Sequence, residues 1–169
     1  MPQDIGDGRV KLDQIARISE DTAHRLSRHR MQVGDVVLAR RGDLERCAAI
    51  GHREESWVCG TGCLLVRLPP KVMRPEWLAL VYRHEVGQSH VRAHAVGSTM
   101  PNLNTGILAG MSIPLPPTDV QDMALAVIAG QKTTIEAERA HVAKLRSLKA
   151  GLGADLFTGH SRFTIEATS

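Results

Sequence analysis

Ile113-Pro114-Leu115-Pro116-Pro117-Thr118-Asp119-Val120-Gln121 is where this chain changes character. Before it, short apolar runs alternate with turn residues. After it there is no proline at all. Pro114, Pro116 and Pro117 cannot donate to a ladder, so extended chain entering here must stop or lie at an edge. Thr118 followed three residues later by Gln121 has the spacing of a capping box. Val120, Met123, Ala124, Val127, Ile128, Ile135, Val142, Leu145, Leu148 and Leu152 then recur at three- and four-residue steps, which predicts a helix from Asp119 to about Leu148. At ~1.5 Å per residue such a helix is ~45 Å long. Ile128, Ile135, Val142 and Leu145 form an imperfect heptad seam that also carries Gln131 and Glu138. The seam points to pairing with another helix, antiparallel or from another chain. Docking along its own globular part is the alternative. The arrangement is that of a recognition head on a stalk.

Working back from this junction, Ile107–Leu115 reads as extended chain and Val96–Asn104 as a polar loop. Glu85–His94 reads as a helix interrupted at Gly87. Pro75 suits the first position of a helix whose apolar stripe is Trp77, Leu78, Val81 and Tyr82. Further back, Val36–Arg40, Cys47–Ile50 and Gly62–Leu68 read as strands, and Trp57-Val58-Cys59 as another short one. Gly34-Asp35 and Arg41-Gly42-Asp43 are turns. A short helix near Asp21–Arg28 is expected, with its cap region at Ser19. These elements describe an α/β (α+β) unit over residues 1–117, a spacer helix over 118–157 and a flexible tail over 158–169.

The 169 residues are 43% hydrophobic but only 3% aromatic, so the core must be aliphatic. So few rings also argue against single-strand binding by base stacking. The net charge of +3, from 21 basic and 18 acidic residues, permits a nucleic-acid partner without demanding one. Three cysteines do not make a disulfide framework. No apolar run approaches the roughly eighteen residues of a membrane span. A signal-peptide pattern is likewise missing. The expectation is a cytoplasmic protein with reduced thiols and no membrane partner.

Cys59-Gly60-Thr61-Gly62-Cys63, with Cys47 and His52 upstream, is the one candidate for zinc. Against it, Cys47 and Cys63 sit in aliphatic strands, where free cysteine is readily buried. The favoured reading is structural cysteines and no metal. Gly60 and Gly62 fit a close approach to a neighbour better than a phosphate cradle. No Walker, dinucleotide-binding, HExxH or GxSxG pattern occurs. Nor is there the amino-methyltransferase signature, so no catalytic residues are assigned. The arginines carry more. Arg40, Arg41 and Arg46 surround the Gly42-Asp43 turn, and Arg25, Arg28, His29 and Arg30 form an earlier basic cluster. Arginine at a strand end reaches phosphates or a guanine edge by paired hydrogen bonds. The bland alternative is a solvated turn neutralised by Asp43, Glu45, Glu54 and Glu55. Ser98, Thr99, Asn102 and Asn104 are weaker candidates, because Asn and Ser also simply make turns.

Five strings in series carry a resemblance. Gly34–Ala48 (GDVVLARRGDLERCA) and Gly60-Thr61-Gly62-Cys63-Leu64 are two of them. The others are Ala95–Asn104 (AVGSTMPNLN), Ile113–Pro117 with the capped helix behind it, and Leu148–Gly159 (LKAGLGADLFTG). Together they resemble the DNA specificity (S) subunit of type I restriction–modification systems, in the right order and over roughly Lys11 to Phe163. The resemblance implies a target-recognition domain followed by a conserved spacer helix. It also implies DNA contact by the residues named above and a chain that is itself non-catalytic. Adenine methylation would come from modification (M) subunits, and cleavage with ATP-driven translocation from restriction (R) subunits. S-adenosylmethionine, ATP and magnesium would belong to those partners, and this chain would hold no cofactor. Family members carry two recognition domains and two helices, whereas this sequence has one of each and lacks the usual opening of a recognition domain. The expectation is a partial or half-length subunit that joins a second copy or another S-subunit half. The rival expectation is a truncated interaction fragment that binds partners through its helix and lacks DNA specificity.

Overall fold

A computed structural model describes the chain except residues 7, 14, 70, 96–101 and 161–169. Two compact units are distinguished, Met1–Leu125 and Ala126–Ser169.

The first unit is α+β. A two-stranded ribbon pairs β1 (Ile5–Gly6) with β2 (Arg9–Val10). An antiparallel three-stranded sheet follows, with β3 (Val36–Ala39) between β4 (Cys47–Ala49) and β5 (Cys63–Val66). Register places Leu38 opposite Cys47 and Leu64, and Val37 opposite Ala48 and Leu65. Because side chains alternate across a strand, Val36, Leu38 and Cys47 face one layer while Val37 and Ala48 face the other. The first layer is α2 (Pro75–Arg83) and α3 (Glu85–His94), which bring Leu78, Ala79, Tyr82 and Val91 to it. The second is built from Ile5, Met31 and Ile50. This sandwiching explains why β3 reads as the unbroken apolar run Val-Val-Leu-Ala: all four residues are buried. Burying each large aliphatic side chain stabilises by about 1.5–3 kcal/mol.

Polar groups inside this unit are paired. Tyr82 donates its hydroxyl to the Leu44 carbonyl at 2.6 Å. Buried Gln88 donates to the Tyr82 carbonyl at 2.8 Å. Asp35, 1% exposed, accepts two hydrogen bonds from Arg67, each of 2.9 Å, and one from the Gln32 N–H at 2.8 Å.

Local signals place several elements where the sequence puts them. Ser19 caps α1 (Glu20–Arg25) by accepting from the Thr22 N–H, and Pro75 opens α2. Four expectations are corrected. Ile107–Leu115 is not a strand: its first part lies in α4 (Thr105–Ala109), because Asn104 caps that turn by accepting from the Ile107 N–H at 2.9 Å. Trp57–Cys59 makes only an isolated bridge, Val58 to Arg30. Gly87 does not interrupt α3. It lets α3 sit on the end of α2, where an added Cβ would lie 2.6 Å from the Val81 and Tyr82 carbonyl oxygens.

The fourth correction concerns the capping box. The last helix, α5, runs from Thr118 to Phe157, 40 residues and longer than the periodicity predicts. The Pro117 carbonyl accepts its first helical bond, from the Gln121 N–H at 3.0 Å. The Gln121 side chain points inward and is 0% exposed. It is shared between the Pro116 carbonyl just before the helix and the loop ahead of α2, and does not reach back to the Thr118 N–H as a capping box would.

Beyond Leu125 the described residues of the second unit form the remainder of α5 and a short turn. Ile128, Ile135, Val142 and Leu145 are 43%, 50%, 43% and 52% exposed. Among the described residues no helix is long and apolar enough to cross a membrane.

Candidate nucleic-acid interface

The end of β3 is stitched to two other segments. The Arg40 N–H donates to the Gly62 carbonyl at 2.8 Å, and the Arg40 carbonyl accepts from the Leu103 N–H at 2.9 Å. Leu103 is 0% exposed and belongs to the core that includes Leu38, so it pins the loop against the sheet. Arg41 then forms an antiparallel bridge with Asn102. Across this bridge Arg40 donates from Nε to the Asn102 Oδ1 at 3.4 Å. Three of the sequence candidates, Arg40, Arg41 and Asn102, thus converge although 62 positions separate Arg40 from Asn102.

Of the acidic neighbours expected to neutralise this turn, Asp43 pairs with Arg46, and none of those described pairs with Arg40 or Arg41. Asp43 accepts from Arg46 Nε at 3.0 Å and from the Glu45 N–H at 3.1 Å. Glu45 pairs with Arg92 at 3.7 Å and Glu54 with Arg53 at 2.7 Å. Neither Arg40 nor Arg41 has an ion pair with a described residue, and Arg41 is exposed. A guanidinium carries five donors. Among the described residues, therefore, most Arg40 side-chain donors and all those of Arg41 have no acceptor.

Arg46 differs from its two neighbours. Its Nη1 donates to the carbonyls of Pro2, Gln3 and Ile5 at 3.5, 3.3 and 3.3 Å. These bonds hold the N-terminal segment against β4. Asn104 is exposed, but its side-chain oxygen is occupied by the α4 cap. Ser98 and Thr99 lie outside the described residues. In the earlier basic cluster Arg25 donates to Thr22 and Arg30 pairs with Glu20, while Arg28 and His29 are exposed.

The zinc candidates are split by the sheet. Cys47 packs in the layer beneath α2, and Cys59 and Cys63 pack against the opposite layer. His52 is 91% exposed on its own turn.

One polar cluster lies outside the candidates that the sequence suggests. The Gln121 amide donates to the Pro116 carbonyl at 2.7 Å and to the Val72 carbonyl at 3.4 Å, and accepts from the Arg74 N–H at 2.9 Å. Arg74 in turn grips Asp122 with two hydrogen bonds of 2.7 and 2.6 Å. That pairing keeps the Asp122 carboxyl below the usual carboxylate range. Trp77 donates its indole N–H to the Pro114 carbonyl at 2.9 Å. The proline run and the first turn of α5 are thereby tied to the start of α2. The only local signal for this cluster is an Arg-Pro pair opening one helix and a Gln-Asp pair in the first turn of another.

No protein-family model matches the chain, and no curated protein matches its sequence. Solved structures do match. The HsdS subunit from Thermoanaerobacter tengcongensis superposes with a TM-score of 0.68 at 18% identity, over 99% of this chain and 43% of that one. The fold is that of a type I specificity subunit. A second match, at TM-score 0.59 and 21% identity, covers 83% of this chain and 36% of the other. It comes from a structure described as showing complex assembly and conformational transition of the type I R-M system. The chain spans less than half the length of either protein. Within the specificity-subunit fold, the Arg40–Arg41–Asn102 cluster lies on the α+β unit, and the exposed apolar positions lie on the long helix.

Proposed function

We propose that this chain is a non-catalytic, sequence-specific DNA-recognition subunit of a type I restriction–modification complex, directing adenine methylation and restriction by partner subunits. The observation that carries the reading is the Arg40–Arg41 pair. It is held at a strand end by Asn102 and Leu103, has no carboxylate partner among the described residues, and lies in a chain whose fold is that of specificity subunits. Arg41 and the free donors of Arg40 contact phosphates or a guanine edge of double-stranded DNA. Asn102 orients Arg40. Ser98 and Thr99 are further proposed DNA contacts, and Asn104 and Arg46 support the contact surface from its edges. The adenine is flipped from the duplex by the methyltransferase partner, which also holds S-adenosylmethionine. ATP and magnesium serve the restriction subunits. The setting is cytoplasmic.

Replacing Arg40 and Arg41 together by Ala tests this. Binding to target DNA should weaken, and the slope of log affinity against log salt should fall by about 0.9 for each phosphate that is no longer neutralised. Unchanged affinity and slope, with the melting temperature preserved, would overturn the reading.

A second reading rests on a different observation, the exposed positions Ile128, Ile135, Val142 and Leu145. On it the chain is an interaction fragment whose helix pairs with M subunits, a second copy or another S-subunit half, without DNA specificity. Two copies would recreate a two-headed arrangement with a palindromic split target. Salt-sensitive DNA binding by the purified chain separates the two readings.

A further inference from the structure

The recognition reading leaves Cys59 and Cys63 without a role. The two residues flank the turn Gly60-Thr61-Gly62, closed by a hydrogen bond from the Cys63 N–H to the Gly60 carbonyl at 2.9 Å. Both ends of the turn are anchored. Cys59 donates its N–H to the His29 carbonyl at 2.9 Å, and Cys63 pairs with Ala39 across the sheet. Both side chains pack against the same layer of the core, both are half-buried, and the Cys59 thiol, 3.8 Å from the Gly60 carbonyl, shares that acceptor with the Cys63 N–H. Disulfide formation requires Cβ atoms about 3.5–4.5 Å apart and sulfurs that can close to ~2.05 Å. Two thiols on one layer of the core, with the Cys59 thiol and the Cys63 N–H meeting on one carbonyl oxygen across a tight turn, need only side-chain rotation to approach that distance. Cys47 is the contrast: it is 1% exposed and lies on the other face of the sheet.

We propose that Cys59 and Cys63 are a dithiol–disulfide site, oxidised by a peroxide to an intrachain disulfide that spans the Gly60-Thr61-Gly62 turn. Cys63 reacts first. The neighbouring Cys59 thiol holds Cys63 below the usual thiol value and so favours its thiolate, which is the nucleophilic form. Its sulfur takes one peroxide oxygen and becomes a sulfenic acid, and the other oxygen leaves as hydroxide. The Cys59 sulfur then attacks the Cys63 sulfur, the S–S bond forms, and the sulfenic oxygen leaves as water with the Cys59 proton. Protonation of the hydroxide completes the balance, with two thiols oxidised and one peroxide reduced to two waters. Burial pushes the Cys47 thiol up to about 12, so it stays out of this chemistry. The oxidised turn would sit one hydrogen bond from Arg40, whose N–H rests on the Gly62 carbonyl. The disulfide itself does not depend on the DNA-recognition reading.

The test uses the full chain and hydrogen peroxide. After quenching, the protein is denatured, alkylated and digested with trypsin. Cys59 and Cys63 share the tryptic peptide Glu54–Arg67, which contains no other cysteine. The expected product is that peptide lighter by two hydrogens and unalkylated, while Cys47 is fully alkylated. Dithiothreitol should restore double alkylation. Cys63→Ser should leave Cys59 alkylated after the same treatment, and Cys59→Ser serves as the second variant. A doubly alkylated Glu54–Arg67 peptide after peroxide would overturn the proposal. So would sulfinic acid at Cys63 in place of a crosslink, or a disulfide joining two chains.

Discussion

Leu38 and Ile135 are both aliphatic residues in the middle of regular elements, yet the first is 0% exposed and the second 50%. The contrast is between the core of the first unit and the apolar stripe of α5 in the second. In Met1–Leu125 the apolar residues of β3 are covered on both faces, and the buried polar side chains Asp35, Gln88 and Gln121 are all hydrogen-bonded. Along α5 beyond Leu125, Ile128, Val142 and Leu145 are as open as Ile135. The central strand of the first unit's sheet has its apolar residues covered within the chain. The second unit carries a stripe whose burial would need something further, since each such side chain is worth about 1.5–3 kcal/mol when covered.

The largest effect should come from the covered side. Leu38→Ala leaves a cavity between β3 and α2 and should destabilise by about 2–5 kcal/mol. The chain's two tryptophans, Trp57 and Trp77, both lie in the first unit, so their fluorescence follows its unfolding. A destabilisation under 1 kcal/mol, roughly that of a surface substitution, would break the comparison.

Gln121 lies where the two styles of packing meet on one helix. Gln121→Leu keeps much of the volume but removes the partners of the Arg74 N–H and of the Pro116 and Val72 carbonyls. The expected cost is about 1–3 kcal/mol in thermal or urea unfolding. Arg74→Ala would sharpen the point: its bond to Gln121 comes from the backbone and survives, so only the exposed ion pair with Asp122 is removed. It should therefore cost less than Gln121→Leu, because solvent screens an exposed ion pair.

On the open side the effect is on association. Ile135→Glu should leave the tryptophan-detected transition of the first unit within about 0.5 kcal/mol of wild type. If the stripe pairs with another helix, sedimentation should show the wild type as an assembly and the variant as a single chain. Identical sedimentation, with no partner bound by either protein, would mean that the stripe is not an interface.

The same contrast governs what is legible in the sequence. Val36–Ala39 and Cys47–Ala49 are readable because Gly34-Asp35 and Gly42-Asp43 bracket them, and turn chemistry is local. Pro75 and Ser19 announce helix starts for the same reason. The periodicity understates the length of α5 because Gly151 and Gly153 dilute it near the helix end. Ile107–Leu115 misleads because a short apolar run does not distinguish strand from helix, and the deciding residue, Asn104, suits a DNA contact in sequence as well as it suits a cap. The Arg40–Asn102 and Asp35–Arg67 hydrogen bonds span 62 and 32 positions and have no local signature. The candidate site is therefore visible in the sequence as a set of residues, and the separation of Arg40 and Arg41, which have no carboxylate partner among the described residues, from the anchored Arg46 is not.

The smallest effect separates the paired carboxylate of the packed unit from the open carboxylates of α5, such as Glu136 and Glu138. Burial alone would raise the Asp35 carboxyl. The hydrogen bonds from Arg67, the Gln32 N–H and the Arg67 charge outweigh it and hold Asp35 below its usual 3.8. A carboxyl depressed in the folded state stabilises the fold fully above its unfolded value, and that contribution is lost as pH falls through the folded value. Between neutrality and about pH 5 the Asp35 contribution should be level, and below 3.8 it should fall away. Asp35→Asn has no charge to lose there. Tryptophan-detected stability of wild type and variant should therefore be furthest apart near neutral pH and should converge in acid. Curves that stay parallel down to the acid transition would show that the Arg67 pairing leaves the Asp35 ionisation unshifted, and the buried side of the comparison would then rest on apolar packing alone.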